Sequence, residues 1–505
     1  MEELIYSRLF LPAAERHASR AAIHDGAYTA TFGEHAERAL RLANALGSGL
    51  GLDPTDRFGV VALNGHRYLE LYHAAFLGGA VINPVNYRLA DREMAHVLRH
   101  SGARVVFVDA AFAQRVQGIV DAGETSIAKI VSLDDEYEQL LASGKDVVPA
   151  EPGEDALPML MYTGGTTGLP KGVASTQRAQ MLNLYHLAMV QGLAFSEDAV
   201  YLHHMPMFHS MGANAALSAA AFGTEAAAIP AFEPGAFMAA VAKHGVTETV
   251  LVPTMIAMIL QHPEYAPERL SSLKRIGYGG MAMPHSLLAK LQEASPDIGL
   301  LQGYGMTEAC PTLTFLTAED HNRGEDKRHS VGRPLSGVDV AVFDGEGNRV
   351  PTGEVGEVCA RGGNIMTGYW NDPEATAKVF RDGWYRTGDL GRFDADGYLY
   401  LVDRVDDMIV TGGENVYSVE VENALTTYPG VLQVAVVGMP DEVWGQRVHG
   451  IVVLAPDAAS TTEEQLTAHA KQTIAGYKVP KTWELRTEPL PVSGAGKPLK
   501  RELRP

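Results

Sequence analysis

Cysteine is scarce in this sequence: two in 505 residues, Cys310 and Cys359, far apart and outside any CxxC spacing. A disulfide framework and a thiolate zinc site are therefore not expected, and a reducing, cytoplasmic compartment is. No run of about 20 apolar residues occurs, so no membrane-spanning helix is expected. The nearest candidate, Ala213 to Ala228, is interrupted by Glu225 and by glycine and serine, and reads as a buried helix or strand. The start, MEELIYSRLFLPAAERH, carries charge throughout instead of a basic segment followed by an apolar one, so a signal peptide is not expected either. Basic residues are outnumbered, 41 against 61 acidic, for a net charge of -20. A field of that sign repels nucleic acid and anionic membrane. An anionic ligand would need a local cluster of cations and backbone N–H groups. Internal repeats and low-complexity segments are also absent.

What is present is length and ordinary globular composition. At 505 residues, 46% hydrophobic and 20% charged, the chain suits a soluble enzyme of two or more domains. Over the first 300 residues or so, short apolar runs alternate with helical patterns. Arg57–Leu63, Arg104–Asp109, Leu157–Thr163, Thr247–Pro253 and Leu273–Gly280 read as strands, and Arg67–Ala80 as a helix. That alternation predicts parallel α/β layers, with ligands bound beyond the C-terminal ends of the strands. After about residue 331 the texture becomes antiparallel, with a hairpin expected in VDVAVFDGEGNRV. From about residue 405 a third texture predicts a small α+β domain. Its TTEEQLTAHAKQTIAGYK segment reads as a helix opened by a Thr461–Glu464 capping box. The expected division is 1–404 and 405–505.

Four clusters could carry chemistry. YTGGTTGLPKGV, Tyr162 to Val173, can wrap backbone N–H groups and threonine hydroxyls around an anion, with Lys171 as a point charge. It lacks the GK[ST] of a Walker A loop, and composition alone equally allows a surface turn. QGYGMTEAC, Gln302 to Cys310, sets Tyr304 between two glycines, where its ring can meet a flat base. Glu308 just beyond it is a carboxylate of the kind Mg2+ takes alongside phosphate oxygens. Taken singly, Tyr304 could equally be a packed aromatic and Glu308 a helix-terminal charge. In WYRTGDLGRFDADGYLYLVDR, Asp389 follows a glycine and suits a ribose diol, with Arg404 as a partner; a solvated hairpin is the other reading. In PVSGAGKPLKREL, Lys497 sits among small residues and could swing into a site, or be one more base at a frayed terminus.

Together, YTGGTTGLPKGV, QGYGMTE, YRTGDL with its DR, GGENVY and the PxxxxGK tail resemble, in order and spacing, the acyl-adenylate-forming superfamily. Its members include acyl- and aryl-CoA synthetases, peptide-synthetase adenylation domains and firefly luciferase, and the resemblance spans about residues 10–505. It implies a large N-terminal domain of layered parallel sheets with a barrel-like antiparallel region, then a small mobile α+β domain. It implies an acid–CoA ligase that uses ATP, Mg2+ and CoA. The acid is first activated as an acyl-adenylate and then passed to a thiol.

By that resemblance Thr163, Gly164, Gly165, Thr166, Thr167, Gly168 and Lys171 would hold the β- and γ-phosphates. Gln302, Gly303 and Tyr304 would bind ATP, with Tyr304 stacked on adenine, and Thr307 would bind the α-phosphate. Glu308 would hold Mg2+, Asp389 and Arg404 the ribose, and Lys497 the carboxylate and α-phosphate oxygens. Thr163, Glu308 and Lys497 would form the catalytic set. Asp406 matches the hinge on which the family's C-terminal domain turns. Gly412 and Gly413 would line the pantetheine tunnel, and Tyr477 and Lys478 the CoA nucleotide; Trp444 reads as structural. His209, Met211, Gly279, Gly280 and Gly305 would line the acyl pocket. The methionines clustered there favour a fatty or aryl acid over a polar one, unless they simply pack the core.

Three positions depart from the family pattern. Gly164 stands where serine is usual, Gln177 where histidine often is, and Pro498 follows Lys497 and restricts it to extended backbone. His209-Ser210 stands where amino-acid-activating members carry an aspartate. The alternatives are an adenylation enzyme that loads a carrier protein, and a nucleotide-binding protein without catalysis. A monomer or homodimer is expected.

Overall fold

The computed structural model describes residues 3–147, 149–164, 169–190, 195–281, 283–324, 326–492 and 498–504. Lys497 and the loop residues Gly165, Thr166, Thr167 and Gly168 lie outside them. Among the described residues four sheets form. In a seven-stranded sheet, Arg57–Val61, Val81–Pro84, Val105–Val108, Lys129–Ser132 and Met159–Thr163 run parallel. In a nine-stranded sheet, Ala21–Asp25, Glu225–Ala228, Val200–His203, Glu248–Leu251, Arg275–Gly279 and Gly299–Tyr304 do so. The central parallel strands of the first sheet, Arg57–Val61, Val81–Pro84 and Val105–Val108, are short apolar runs buried on both faces, as helix-covered sheets require. Both sheets carry antiparallel edges, which the alternation of strand and helix did not reveal. Lys171–Ser175 turns back on Met159–Thr163, and Thr314–Leu316 on Gly299–Tyr304.

The alanine-rich stretch is neither helix nor strand alone. It is the end of the helix Ser210–Ala221 followed by the strand Glu225–Ala228, with Gly223 at the left-handed turn between them. A third, antiparallel sheet holds Val338–Phe343, Gly356–Gly362, Phe380–Arg381, Trp384–Phe393 and Leu399–Arg404. The hairpin expected in VDVAVFDGEGNRV closes through a single bridge, Phe343 to Arg349. The long partner of Val338–Phe343 is Gly356–Gly362.

From Ile409 onward the chain builds its own sheet and its own core. Val431–Asp441 pairs along Gly445–Leu454, and Val421, Leu425, Val436, Val452 and Leu466 are fully buried among one another. The helix expected from Thr461 is shorter than its pattern, Glu463–Ala470, and its capping box is one residue later. Thr462 accepts from the Gln465 N–H, and Gln465 accepts in return from the Thr462 N–H. Thr461 is an acceptable cap by type, but the buried Leu466 and Ala470 set the register of the apolar face.

Candidate functional site

One continuous void runs between the two large sheets, the antiparallel sheet and the C-terminal tail. It lies at the C-terminal ends of the parallel strands, where the glycine-bearing connections emerge. Thr163, Gly164, Lys171, Gln302, Gly303, Tyr304, Gly305, Thr307, Glu308, Asp389, Arg404, His209, Met211, Gly280 and Asp406 all line it. Gly279 lies one residue behind. The Gly303 carbonyl occupies the place a Gly279 side chain would take, and the Pro311 carbonyl likewise bars one at Gly305.

The phosphate-loop candidate is the connection of an antiparallel hairpin. Thr163 ends one strand, Lys171 starts the next, and the two are paired. The Lys171 ammonium lies 5.1 Å from the centre of the Tyr369 ring. The Tyr369 hydroxyl donates to Glu308 Oε1 at 3.0 Å. Glu308 is 8% exposed, in a short 3-10 turn Thr307–Ala309, and its carbonyl accepts the Met366 N–H at 2.8 Å. One buried carboxylate facing the void fits a Mg2+ that takes its remaining ligands from phosphate oxygens and water. Among the described residues no group of three or more His, Cys, Asp or Glu could enclose a metal. Thr307 Oγ1 donates to Ser210 Oγ at 3.3 Å, joining the 3-10 turn to the helix Ser210–Ala221.

Asp389 lies directly across from Arg404 on neighbouring antiparallel strands. The Arg404 Nε contacts Asp389 Oδ1 at 3.1 Å, and the Tyr304 hydroxyl donates to Asp389 Oδ2 at 2.7 Å. Gly388 holds φ at +72° immediately before it, a conformation that costs a side-chain-bearing residue energy. The residues read separately as base platform and ribose acceptor are thus one hydrogen-bonded unit. Burial, with Asp389 close by, pushes the Tyr304 phenol well above its ordinary value, so its hydroxyl stays a donor.

Among the described tail residues, Val492 and Pro498 pair in an isolated bridge, and the Leu499 N–H donates to the Pro491 carbonyl at 2.8 Å. Lys500, half-buried, contacts Glu422 Oε1 at 2.6 Å and Ser418 Oγ at 2.6 Å. Asp406 lies in the turn between the strands Leu399–Arg404 and Ile409–Thr411, and its carbonyl accepts from Arg504 Nη1 at 3.1 Å.

Gly412, Gly413, Tyr477 and Lys478, expected to meet CoA once the C-terminal domain has turned, lie away from the void. Gly412 and Gly413 form the positive-φ turn between Ile409–Thr411 and Glu414–Val416. Tyr477 is exposed on the C-terminal unit. The Lys478 ammonium is held by both Glu420 oxygens at 2.7 Å. Trp444 is 58% exposed rather than part of the core, with its ring against Gly412.

Sequence reasoning missed Tyr369 and Tyr385, both lining the void. It also missed His96 and His100, which brace the phosphate hairpin. His96 Nε2 is 3.1 Å from the Pro170 carbonyl and His100 Nδ1 is 2.8 Å from the Tyr162 hydroxyl. Tyr369 had one available signal, its place after a glycine in a short TGYW run; the histidines had none beyond their spacing of four.

The AMP-binding enzyme family matches residues 10–370, and the AMP-binding enzyme C-terminal domain matches residues 420–497. A feruloyl-CoA synthase from an Amycolatopsis species is 38% identical over 491 residues, 96% of this chain and 95% of that protein. A fatty acid–[acyl-carrier-protein] ligase from Streptomyces coeruleorubidus is 35% identical over 481 residues, covering 94% and 91%. The crystal structure of the anthranilate CoA ligase AuaEII with anthranoyl-AMP superposes with a TM-score of 0.91 at 26% identity, covering 99% of this chain and 96% of that one. The chain belongs to the AMP-binding enzymes, the family of the acyl- and aryl-CoA ligases.

Proposed function

We propose that this enzyme activates a fatty or aryl carboxylic acid with ATP and transfers the acyl group to the thiol of CoA. The observation that carries this reading is the convergence on one void of four groups. They are the Thr163–Lys171 hairpin, the Glu308–Tyr369 pair, the Tyr304–Asp389–Arg404 unit and the glycine-walled mouth at Gly280, Gly303 and Gly305.

In this reading the N–H groups and hydroxyls of residues 163–168, with Lys171, hold the β- and γ-phosphates. Tyr304 and Gln302 frame adenine, Asp389 and Arg404 hold the ribose, and Thr307 donates to the α-phosphate. Glu308 holds Mg2+, which when bound neutralises charge on the phosphate oxygens. The acid lies beside His209 and Met211 with its carboxylate at the Gly303–Gly305 backbone, positioned to attack the α-phosphorus while pyrophosphate leaves. Lys497 neutralises the carboxylate and α-phosphate oxygens in that step. The unit from 405 onward then turns about Asp406, and Gly412 and Gly413 come to line the path of the CoA thiol. Lys478 is paired with Glu420, so in this reading that ion pair opens for Lys478 to meet the nucleotide of CoA beside Tyr477. The relative that loads an acyl carrier protein keeps a second reading, transfer to a carrier thiol, in view.

ATP–pyrophosphate exchange over a panel of fatty and aryl acids tests the first half-reaction. No exchange with any acid would refute activation; exchange without a CoA thioester would favour the carrier. Lys497→Ala is expected to lose exchange yet still convert a supplied acyl-adenylate to the thioester. Equal loss of both would refute the role given to Lys497.

A further inference from the structure

The acyl end of the void has a polar terminus. On the nine-stranded sheet, Tyr201, Glu248, Val250, Gly277 and Leu301 share one face, since neighbours in register and residues two apart on a strand do so. These five line the void, as do Met211 and Ala215 from the helix Ser210–Ala221. At the mouth, Met211 and Val252 pack around Gly280, with side-chain carbons 3.3 Å and 3.7 Å from where a β-carbon would stand. Glu248 lies four residues before Val252, on the same strand and its continuation. The walls therefore run inward for roughly 13 Å, at about 3.3 Å per residue.

Glu248 lies at that depth, directly across from Arg275 on the neighbouring strand. It is 4% exposed. Its Oε1 accepts from Arg275 Nη1 at 3.1 Å, and its Oε2 has neither a hydrogen-bond partner nor surface open to water, so the carboxylate must turn about its last bond for a donor in the void to reach it. A carboxylate oxygen kept from water without a donor is costly, and a purely aliphatic occupant would leave it so. Burial pushes the Glu248 carboxyl up to about 7 against the pull of Arg275, and an added donor would restore its ionised form.

We propose that Glu248 is a specificity residue, and that the acid activated here carries a hydroxyl at the end remote from its carboxylate, which donates to Glu248. This rests on the acid-activating reading above and narrows it. The hydroxyl could belong to an aliphatic chain or to a phenol. Both present the same donor, and the depth of the channel together with the length of the acid decides between them.

The test compares matched acids in the exchange assay: octanoate with 8-hydroxyoctanoate, dodecanoate with 12-hydroxydodecanoate, and cinnamate with 4-hydroxycinnamate. In the wild-type enzyme at least one hydroxylated acid should exceed its plain counterpart in kcat/KM by tenfold or more, because a site built around a hydroxyl discriminates against its absence. The pair that shows the ratio identifies the source. In Glu248→Leu that ratio should fall to near one, and in the isosteric Glu248→Gln to an intermediate value, with the change mainly in KM. A wild-type ratio near one for every pair, with the plain acids turned over, would overturn the proposal and leave acid activation standing. A preference that survives Glu248→Leu but vanishes in Asn214→Leu would assign the contact to Asn214, which also lines the void, and overturn it too. Absence of exchange with all six acids would count against both readings.

Discussion

Among the described residues nothing lies within 4 Å of a β-carbon built on Gly164, and the residue is exposed at the rim of the void. The missing serine hydroxyl of the family loop is therefore not excluded by crowding. Glycine keeps the N–H donor but leaves the loop more conformational freedom to lose when phosphate binds. Gly164→Ser is expected to lower the KM for ATP roughly fivefold, about 1 kcal/mol, the typical net value of one hydrogen bond, with kcat little changed. An unchanged KM, read in the exchange assay at saturating acid, would separate the hydroxyl from phosphate binding. At this scale the motifs were legible wherever the chemistry sits in a contiguous run: Thr163, Lys171, Tyr304, Glu308, Asp389 and Arg404 all reach the void. Tyr369 was not legible. Its partner Glu308 is 61 residues away, and the two are brought together by the Met366 N–H bond to the Glu308 carbonyl and by the pairing of Gly368–Tyr369 with Lys171–Ser175. The pairing of Tyr304 with Asp389 was missed for the same reason, since 85 residues separate them.

The helix Asp91–Ser101 lies under the phosphate hairpin and meets both of its shoulders. His96 and His100, four apart and so on one face, reach Pro170 after the loop and Tyr162 before it, and their rings lie 5.2 Å apart. Burial, reinforced by its neighbour His96, holds His100 below the usual histidine value, so the His100 ring is neutral near pH 7. Removing it should loosen the loop without touching the thioester half-reaction. His96→Leu combined with His100→Leu is expected to raise the KM for ATP severalfold while conversion of a supplied acyl-adenylate to thioester stays near the wild-type rate. A parallel loss of both rates would mean the pair merely supports the fold. The turn carrying Asp406 is the other element with a stated job. Asp406→Pro fixes φ there, so thioester formation should fall more than exchange; the reverse order would refute the hinge. Elements of strong period were legible to within a few residues, as with Arg57–Val61 and His66–Phe76. The Thr462 cap was not, because two adjacent threonines leave the choice to the packing of Leu466.

At the scale of the whole molecule, the alternation of strand and helix told of parallel layers but not of how many sheets share them. Strands that neighbour one another in space, such as Ala21–Asp25 and Glu225–Ala228, are some 200 residues apart in sequence, and no local pattern encodes that pairing. One consequence of the layering is a set of histidines sealed in the core. His35, His73, His203 and His204 are at most 3% exposed, and His35 Nε2 lies 2.8 Å from His73 Nδ1. Burial pushes His35, His203 and His204 down to about 3 and holds His73 well below its ordinary value. In the unfolded chain each returns to about 6.5. Between those values the unfolded state binds more protons than the folded one, so folding loses stability as the pH falls. The contribution is whole above about pH 6.5 and is lost progressively from there towards pH 3. At pH 5 each such histidine costs about 2 kcal/mol, some 1.5 pH units at 1.36 kcal/mol per unit. Glu248, raised to about 7, works in the opposite direction over the same window, which makes the wild-type curve a sum of opposing parts. A single substitution isolates one of them. His204→Gln keeps a polar group within reach of Thr249, now 2.9 Å from His204 Nε2, and removes the titration. The melting temperature of the wild type should fall further between pH 7 and pH 5 than that of His204→Gln, by roughly 2 °C for a chain of this length. Equal falls in the two proteins would mean that His204 does not stay neutral in the folded state.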